Sequence, residues 1–255
     1  MKEIFSLRDL RVAYGREEVV RGVSLGIREG EFCALLGLNG SGKTTILRAA
    51  CGLLPMAGGC AAAGQDCSRM HEKKRARLMA FIPQVCGLVG GKSALEVVLM
   101  GFNAWLGLFA SPSKAQRETA LDTLGRLGCA AFAHKDFGAL SQGQRQIVIL
   151  ARCIVQNTPV MLMDEPDSAL DFLNRRMVLE KIREIIHTER KAGLITLHDP
   201  NLAMRYCDRL LLLESGRLVG EIRMQEASRD EIEEKLSRIY GDIGLFPCRD
   251  HFFIG

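Results

Sequence analysis

The stretch Gly-Leu-Asn-Gly-Ser-Gly-Lys-Thr at residues 37–44 constrains the fold of this chain more than any other. It follows the apolar run 32–36 and precedes residues 45–50, so we predict that a buried strand turns into a helix here. Glycines let the loop curl closely enough for several N–H groups to face phosphate oxygens, and the positive end of the next helix adds to the attraction. The residues predicted to bind a nucleotide are Gly37, Asn39, Gly40, Ser41, Gly42, Lys43, Thr44 and Thr45.

Two side chains of this loop have specific chemistry. Lys43 should reach the β- and γ-phosphates of the nucleotide, and the Thr44 hydroxyl should be a ligand of Mg²⁺. The loop alone leaves the choice between a kinase, a GTPase and a motor ATPase open.

Length and charge restrict the class of protein. A chain of 255 residues can bury one large α/β core. The net charge of +4 is ordinary, so we expect no nucleic acid partner. The uncharged run 97–113 is interrupted by glycines and a proline, which argues against a membrane span. Charged side chains within residues 1–10 argue against a signal peptide, and we expect a cytoplasmic chain.

Nine cysteines lie mostly within apolar stretches, and they form no Cys-x-x-Cys pair. This spacing favours neither a disulfide framework nor a metal site. We therefore expect reduced thiols that pack as small hydrophobic side chains.

Hydrophobic periodicity predicts an α/β chain with an inserted helical lobe. The predicted strands are residues 4–12, 19–27, 31–36, 78–82, 160–163 and 194–197, followed by a hairpin of 209–214 and 217–222. The predicted helices are residues 93–105, 114–127, 145–156, 174–191 and 200–206, followed by a last helix capped by Ser228. We predict a helical subdomain at about 85–156, inserted between core segments at about 1–84 and 157–255.

The first helix of this lobe and the segment after it are unusually apolar. Their apolar side chains are Val97, Val98, Leu99, Met100, Phe102, Trp105, Leu106, Leu108 and Phe109. One face could pack in the core of the lobe while another docks on a partner, and the residues leave both interpretations open.

Several polar residues stand at the ends of predicted strands, where ligands of parallel α/β sheets gather. Asp164 and Glu165 follow a short buried strand and are suited to holding Mg²⁺ and to polarising a water molecule. Gln84 could ligate a metal ion through its amide oxygen, although a lone glutamine is usually a surface group. His198 lies beside a helix start, where a lone histidine is more often structural.

Two further features lie away from these strand ends. Tyr14, on a turn ahead of the phosphate loop, could stack on an adenine ring or simply be an amphipathic surface residue. Ser141 and Gln144 have the spacing of a capping box, which places a hydroxyl and free N–H groups at a positively polarised helix end. Such an end can bind a second phosphate.

The order of these motifs resembles that of the nucleotide-binding subunits of ABC transporters, over essentially the whole chain. The motifs are the phosphate loop, Pro83-Gln84, the signature LSQGQ at 140–144, MDEP at 163–166, SALD at 168–171 and His198. The signature directly before its helix distinguishes this family from kinases and GTPases. The resemblance implies one ABC ATPase domain over 1–255, with an α/β P-loop NTPase (RecA-like) core, an N-terminal antiparallel β-subdomain and an inserted α-helical subdomain.

The resemblance also implies that ATP is hydrolysed between two copies of the chain. Ser141 and Gly143 of one copy would contact the γ-phosphate bound at Lys43 of the other copy, and Gln144 of the same motif is also assigned to nucleotide binding. Asp171 would couple the two sites across the dimer.

Within each site, the resemblance assigns Tyr14 to adenine stacking, Glu165 to general-base catalysis and His198 to contact with the γ-phosphate. The ligands of Mg²⁺ would be Thr44, Gln84 and, through water, Asp164. ATP and Mg²⁺ are the cofactors implied.

This chain departs from the usual family pattern at two positions. Gln142 replaces the first glycine of Leu-Ser-Gly-Gly-Gln, and Asp167 stands where threonine or serine is commoner. Asp167 adds a negative charge near Asp164 and Glu165. Because Ser141 is kept together with the glycine that follows Gln142, we expect function to survive both changes.

Within the family, residues 98–109, the Pro112 loop and the helix from Lys114 look like the importers of iron-siderophores, haem and cobalamin. The implied partners are a second ATPase subunit in a head-to-tail homodimer, two transmembrane permease subunits and, indirectly, a substrate-binding protein. The implied location is peripheral, on the cytoplasmic face of the cell membrane.

Two alternatives remain at this level, an ABC exporter subunit and a soluble ABC-type ATPase acting on DNA or ribosomes. Proteins of the second kind usually carry a long coiled coil or two cassettes. The sequence shows neither an extended heptad pattern nor an internal repeat.

Overall fold

Two large β-sheets and the helices packed on them make up most of this computed structural model, which describes residues 2–84, 90–107, 109–248 and 251–254. The strands are β1 (Glu3–Tyr14), β2 (Glu17–Arg28), β3 (Phe32–Leu36), β4 (Ala57–Ala62), β5 (Gln65–Asp66), β6 (Met79–Ile82), β7 (Val160–Asp164), β8 (Ala192–Thr196), β9 (Arg209–Glu214), β10 (Arg217–Arg223), β11 (Leu245–Cys248) and β12 (His251–Ile254). The helices are α1 (Lys43–Ala50), α2 (Glu72–Arg75), α3 (Ala94–Leu99), α4 (Lys114–Arg126), α5 (Gln142–Gln156), α6 (Phe172–Thr188), α7 (Pro200–Tyr206) and α8 (Arg229–Tyr240).

The larger sheet has the strand order β10-β9-β3-β8-β7-β6 and is parallel except for β10, which pairs antiparallel with β9. Strands β3, β7 and β8 are buried along their whole length, which explains why their sequences are mostly apolar. The carboxyl ends of these three strands meet at one edge of the sheet. The phosphate loop, Glu165 and His198 follow these strand ends, and Asp164 is the last residue of β7.

The smaller sheet is antiparallel, with the order β2-β1-β4-β5, and α1 lies between it and one face of the larger sheet. Alternate residues of β3 enter different cores because successive side chains point to opposite faces. Cys33 and Leu35 pack with Ile46 of α1, whereas Ala34 packs on the other side with α5 and α6. This arrangement fixes α1, and therefore the phosphate loop, between two packed layers.

The helical lobe contains α3, α4 and α5, but its first helix is shorter than the predicted 93–105. A capping box at Ser93 begins α3, and a 3₁₀ turn at Met100–Ala104 replaces the α-helix after Leu99. Gly101 lies so close to α5 that an added Cβ would come 2.3 Å from the Arg152 carbonyl oxygen. The 3₁₀ turn thus lies where the lobe packs closely on α5. The proposed lobe boundary at 85 falls among residues 85–89, outside the described residues.

The apolar segment of the lobe is divided between the core and the surface. Val97 and Val98 are fully buried, whereas Trp105 is half-exposed and Phe109 is 95% exposed. Leu108 lies outside the described residues. Both interpretations of this segment therefore have a structural counterpart. Among the described residues, no helix combines the length and the apolar character that crossing a membrane requires.

The C-terminal hairpin of β11 and β12 was not predicted from the sequence. The two strands pair in antiparallel register with Phe246 opposite Phe253, and the Ile254 N–H donates to the Asn201 side-chain oxygen at 2.7 Å. Each strand has only four residues, too few for the alternation of apolar and polar residues to be recognised.

Candidate functional site

The phosphate loop turns from β3 into α1 through glycines in left-handed backbone conformations. Gly40 has φ 80° and Gly42, which caps α1, has φ 105°. Gly37 is required for a different reason, since a Cβ there would lie 2.2 Å from the Leu213 carbonyl oxygen. The first turn of α1 contains no acidic residue, so its N–H groups and positive end are available to phosphate oxygens.

Lys43 is folded over this loop. Its Nζ donates to the carbonyl oxygens of Gly37 at 2.7 Å and Leu38 at 3.1 Å. Burial lowers the pKa of Lys43, and the negative charges of Glu165 and Asp164 oppose this effect. The ammonium group is therefore a partly desolvated cation, which strengthens its attraction to a phosphate.

Asp164 and Thr44 come together as the sequence predicted. The Thr44 hydroxyl donates to Asp164 Oδ1 at 3.0 Å, and a second hydroxyl, from Thr196, donates to the same oxygen at 3.0 Å. Asp164 Oδ2 is buried and has no hydrogen-bond partner among the described residues. A free carboxylate oxygen beside a threonine hydroxyl is the kind of oxygen donor set that Mg²⁺ prefers, so these residues fit that ion.

Two predicted site residues, His198 and Gln84, contact the side chain of Glu165. His198 Nε2 lies 2.7 Å from Glu165 Oε2, and the Gln84 side-chain N–H donates to the same oxygen. The Glu165 side chain is nearly buried. Its backbone is left-handed, with φ 47°, which is unusual for a residue other than glycine. The Gln84 contact differs from the expected metal ligation, because the amide nitrogen here faces a carboxylate.

The signature segment forms the predicted capping box at the start of α5. The Ser141 hydroxyl accepts from the Gln144 N–H at 3.3 Å, and the Gln144 side chain accepts from the Ser141 N–H at 3.0 Å. Ser141 and Gln142 are exposed, with Gly143 partly exposed beside them. This helix end thus presents a hydroxyl and backbone N–H groups to solvent.

The signature and the phosphate loop line different cavities of the chain. Ser141, Gly143, Gln144, Leu170 and Asp171 are among the residues lining a cavity of about 640 Å³. Asn39, Gly40 and Ser41 lie in another of about 220 Å³, next to Leu213 and Ile239. Neither of these two cavities is lined by residues of both segments.

Asp171 and Tyr14 occupy surface positions. Asp171 caps α6, and its two oxygens accept from the backbone and the side-chain amide of Asn174 at 2.9 and 2.8 Å. These bonds lower the pKa of Asp171. Tyr14 ends β1 with half of its surface exposed, and its predicted stacking on adenine stays a prediction.

Asp167, the second departure from the family pattern, is buried and paired. Arg175 Nε on α6 lies 3.3 Å from Asp167 Oδ2. Burial raises the pKa of Asp167, and the Arg175 charge opposes this rise. The added negative charge that the sequence placed near Glu165 therefore has a counter-charge of its own.

Thr196 and Arg175 are the site residues that the sequence reasoning missed. Thr196 is the one hydroxyl residue in the otherwise apolar or glycine strand β8, and β8 runs beside β7 in parallel register. A polar residue in a fully buried strand is a signal that could have been used, since such a group requires a partner. Arg175 offered no comparable signal in its exposed, charged surroundings.

Comparison with known proteins identifies the family of this chain. The sequence model of the family described as ABC transporter matches residues 20–168. A probable iron chelatin transport ATP-binding protein of Helicobacter pylori is 33% identical over 217 residues, covering 84% of this chain and 85% of the relative. The petrobactin import ATP-binding protein of Bacillus anthracis is 32% identical over 253 residues, with coverages of 98% and 89%. A phosphonates import ATP-binding protein of Maricaulis maris is 34% identical over 246 residues, covering 91% of each chain.

Solved structures show the same fold. An inward-facing ABC transporter described as of the metal-chelate type has a TM-score of 0.81 at 25% identity, covering 99% of this chain and 96% of that chain. A dimeric ATP-binding cassette in a post-hydrolysis state, bound to ADP and phosphate, has a TM-score of 0.78 at 27% identity, with coverages of 87% and 99%. The expected α/β cassette with an antiparallel β-subdomain and a helical region is confirmed.

Proposed function

This chain belongs to the ABC transporter family and is an ATP-binding ATPase, and on that premise we propose that it drives a bacterial importer of a metal chelate such as an iron-siderophore, haem or cobalamin. The observation that carries this proposal is the likeness, over nearly the whole chain, to ATP-binding proteins of iron chelatin and petrobactin import. A phosphonate import protein is equally similar to this chain. The sequence likeness therefore supports a role in import more strongly than it supports one particular cargo.

The proposed chemistry starts with nucleotide binding at the phosphate loop. The backbone N–H groups of residues 37–45 and the Lys43 ammonium bind the phosphates of ATP. We assign Mg²⁺ to the Thr44 hydroxyl, the Gln84 amide oxygen and, through water, the free Asp164 oxygen. When bound there, the ion would neutralise charge on the β- and γ-phosphate oxygens.

Glu165 is the proposed general base, which accepts a proton from the attacking water. In this structure its Oε2 is shared by His198 and Gln84, so these contacts must loosen before that oxygen can accept the proton. His198 and Gln84 both have polar groups that a γ-phosphate and its metal ion could attract. Nucleotide binding would then free Glu165 by drawing these two side chains away.

A second copy of the chain would complete the site. The two half-sites are the phosphate loop and the signature, and the proposal is supported by the observation that they line different cavities of the chain. In a head-to-tail homodimer, Ser141, Gly143 and Gln144 of one copy face the nucleotide held by the other. Asp171, which lines the same cavity as Ser141, would link the two sites.

The exposed part of the helical lobe is the proposed contact with two transmembrane permease subunits. Trp105 and Phe109 present apolar surface there, and Arg77 lies 5.3 Å from the centre of the Trp105 ring. The Trp105 indole N–H also donates to the Gln156 carbonyl oxygen at 3.0 Å, which holds the ring in place at the surface. A substrate-binding protein would act through the permease, and the ATPase would lie peripherally on the cytoplasmic face of the membrane.

The proposed function is tested by uptake in a strain that lacks this chain. Ferric siderophore, haem, cobalamin and a phosphonate are supplied separately, and the strain is complemented with the natural chain or with Glu165→Gln. We expect loss of uptake of one metal chelate, restored only by the natural chain. Loss of phosphonate uptake alone, or unchanged uptake of all four cargoes, would contradict the proposal.

A further inference from the structure

Thr196 ends β8 and lies beside the acidic pair at the carboxyl edge of the sheet. In the parallel register of β7 and β8 it is the direct neighbour of Asp164, and it is fully buried. The other residues of this strand are apolar or glycine. A buried hydroxyl in such a strand must find partners within the protein, so its contacts show what it does.

The Thr196 hydroxyl connects Asp164 with Glu165. The Glu165 backbone N–H donates to Thr196 Oγ1 at 2.9 Å, and Oγ1 lies 3.0 Å from Asp164 Oδ1. A peptide N–H can only donate and an ionised carboxylate can only accept, so the direction of both bonds is fixed. The single hydroxyl proton goes to Asp164, while the oxygen accepts from Glu165.

For Asp164, this bond determines which oxygen is left for a ligand. Oδ1 accepts from two hydroxyls, those of Thr196 and Thr44, whereas the buried Oδ2 has no partner among the described residues. Two donors on one oxygen resist rotation of the carboxylate. The orientation that leaves Oδ2 free is therefore held by Thr196 together with Thr44.

For Glu165, the same hydroxyl supports an unfavourable backbone conformation. A left-handed residue with a side chain persists only where its surroundings hold it. Thr196 binds the Glu165 N–H, and Ser168 donates to the Glu165 carbonyl oxygen from its backbone N–H at 3.2 Å and its hydroxyl at 3.0 Å. The residue is thus fixed on both sides, with its carboxylate directed at His198.

We propose that Thr196 is a positioning residue for ATP hydrolysis, whose hydroxyl orients Asp164 towards Mg²⁺ and holds Glu165 in the backbone conformation that aims its carboxylate. Thr196 itself touches neither nucleotide nor water in this role. The inference rests on the proposed functions of Asp164 and Glu165.

The test compares the natural chain with Thr196→Val, which keeps the shape and removes the hydroxyl, and Thr196→Ser, which keeps the hydroxyl. The matched control is Thr158→Val, because Thr158 is equally buried and its hydroxyl donates to the Val160 carbonyl oxygen at 2.7 Å, at the other end of β7. Thr196→Ala is a second variant without the hydroxyl, should the valine variant fail to fold.

Two quantities are measured for each variant. Steady-state ATPase assays give kcat and KM, and a Mg²⁺ titration of the melting temperature with a non-hydrolysable ATP analogue gives the metal dependence without turnover. We expect Thr196→Val to lower kcat by about 10- to 100-fold and to raise the half-saturating Mg²⁺ concentration by a similar factor, as loss of a supporting hydrogen bond to a metal ligand does. KM for ATP should change by less than about threefold, and Thr196→Ser should restore kcat to within about threefold of the natural chain.

Several results would overturn the inference. They are natural kcat and Mg²⁺ dependence in Thr196→Val, an equal loss in Thr158→Val, and a serine variant as impaired as the valine variant. Glu165→Gln is assayed in parallel to separate this inference from the proposed function. If Glu165→Gln keeps its turnover, the assignment of Glu165 and the role of Thr196 are both wrong. If Glu165→Gln is inactive while Thr196→Val has natural kcat and Mg²⁺ dependence, only the role of Thr196 is wrong.

Discussion

His198 Nε2 lies 2.7 Å from Glu165 Oε2. The residue proposed to contact the γ-phosphate and the proposed general base are therefore in direct contact. Gln84 donates to the same carboxylate oxygen. His198 and Gln84, which are distant in the sequence, therefore both contact the Glu165 side chain at the end of β7. We propose that this contact links nucleotide binding to the availability of the base.

Replacing Glu165 by glutamine should abolish turnover while ATP still binds. A glutamine side chain cannot take a proton from water, and general-base catalysis contributes about 10²- to 10⁴-fold to a rate. ATPase assays and equilibrium binding of ATP measure the two effects separately. The exposed Glu118 provides a control, since Glu118→Gln should keep natural turnover. Near-normal hydrolysis by Glu165→Gln would remove this residue from its role.

Lys43→Ala should weaken ATP binding by about 10- to 100-fold, because a hydrogen bond to a charged group contributes about 1.5–3 kcal/mol. The partly desolvated ammonium beside the phosphate loop is the reason to expect this effect here. Calorimetric titration with ATP measures it. Lys114→Ala is the control, since Lys114 is almost fully exposed on α4. An unchanged ATP affinity in Lys43→Ala would refute the assignment.

Tyr14→Ala should weaken binding of ATP about two- to tenfold, the range that one aromatic stacking contact provides. The binding of inorganic triphosphate, which has no base, should not change. Tyr14→Phe keeps the ring and should bind ATP as the natural chain does. Equal losses for ATP and triphosphate would show that Tyr14 acts on the loop and not on adenine.

Asp167→Asn should stabilise the protein at neutral pH. Burial raises the pKa of Asp167 above 3.8, with Arg175 and His198 opposing the rise and Glu165 adding to it. The folded state then holds the proton to higher pH than the unfolded chain, so the contribution of Asp167 to stability is lost as pH rises through its folded-state pKa.

The melting temperatures of Asp167→Asn and the natural chain, compared across pH, measure this effect. The advantage of the variant should be absent at acid pH and grow as the pH approaches neutrality. Arg175→Gln removes the opposing charge and should lower stability at neutral pH. An Asp167→Asn variant that melts below the natural chain at neutral pH would mean that the ion pair outweighs the cost of burial.

Residues with local signals were predictable from the sequence. The phosphate loop, the acidic pair after β7 and the capping box at Ser141 each combine a spacing with a strand or helix boundary, and the structure places them at those boundaries. Contacts between distant residues were not predictable, because they depend on register. The hydrogen bonds of Thr196 exist only because β7 and β8 lie side by side with Asp164 opposite Thr196. The ion pair of Arg175 with Asp167 likewise depends on the direction of α6 after its N-cap, Asp171.

We propose that one chain contains two separate half-sites, and that only a second copy completes them. The Glu165→Gln variant, saturated with ATP and Mg²⁺, should form a dimer. Light scattering measures the mass of this dimer. Adding Ser141→Arg should keep this protein monomeric, while ATP affinity at concentrations too low for dimerisation stays within about threefold.

Ser113→Arg is the matched control, since Ser113 caps α4 with the same type of capping box and lies outside the proposed interface. The decisive measurement is the mass of these two double variants with ATP bound. We expect a monomer for Glu165→Gln with Ser141→Arg and a dimer for Glu165→Gln with Ser113→Arg. A dimer in both cases, or an ATP affinity that falls with Ser141→Arg as far as with Lys43→Ala, would contradict the proposal.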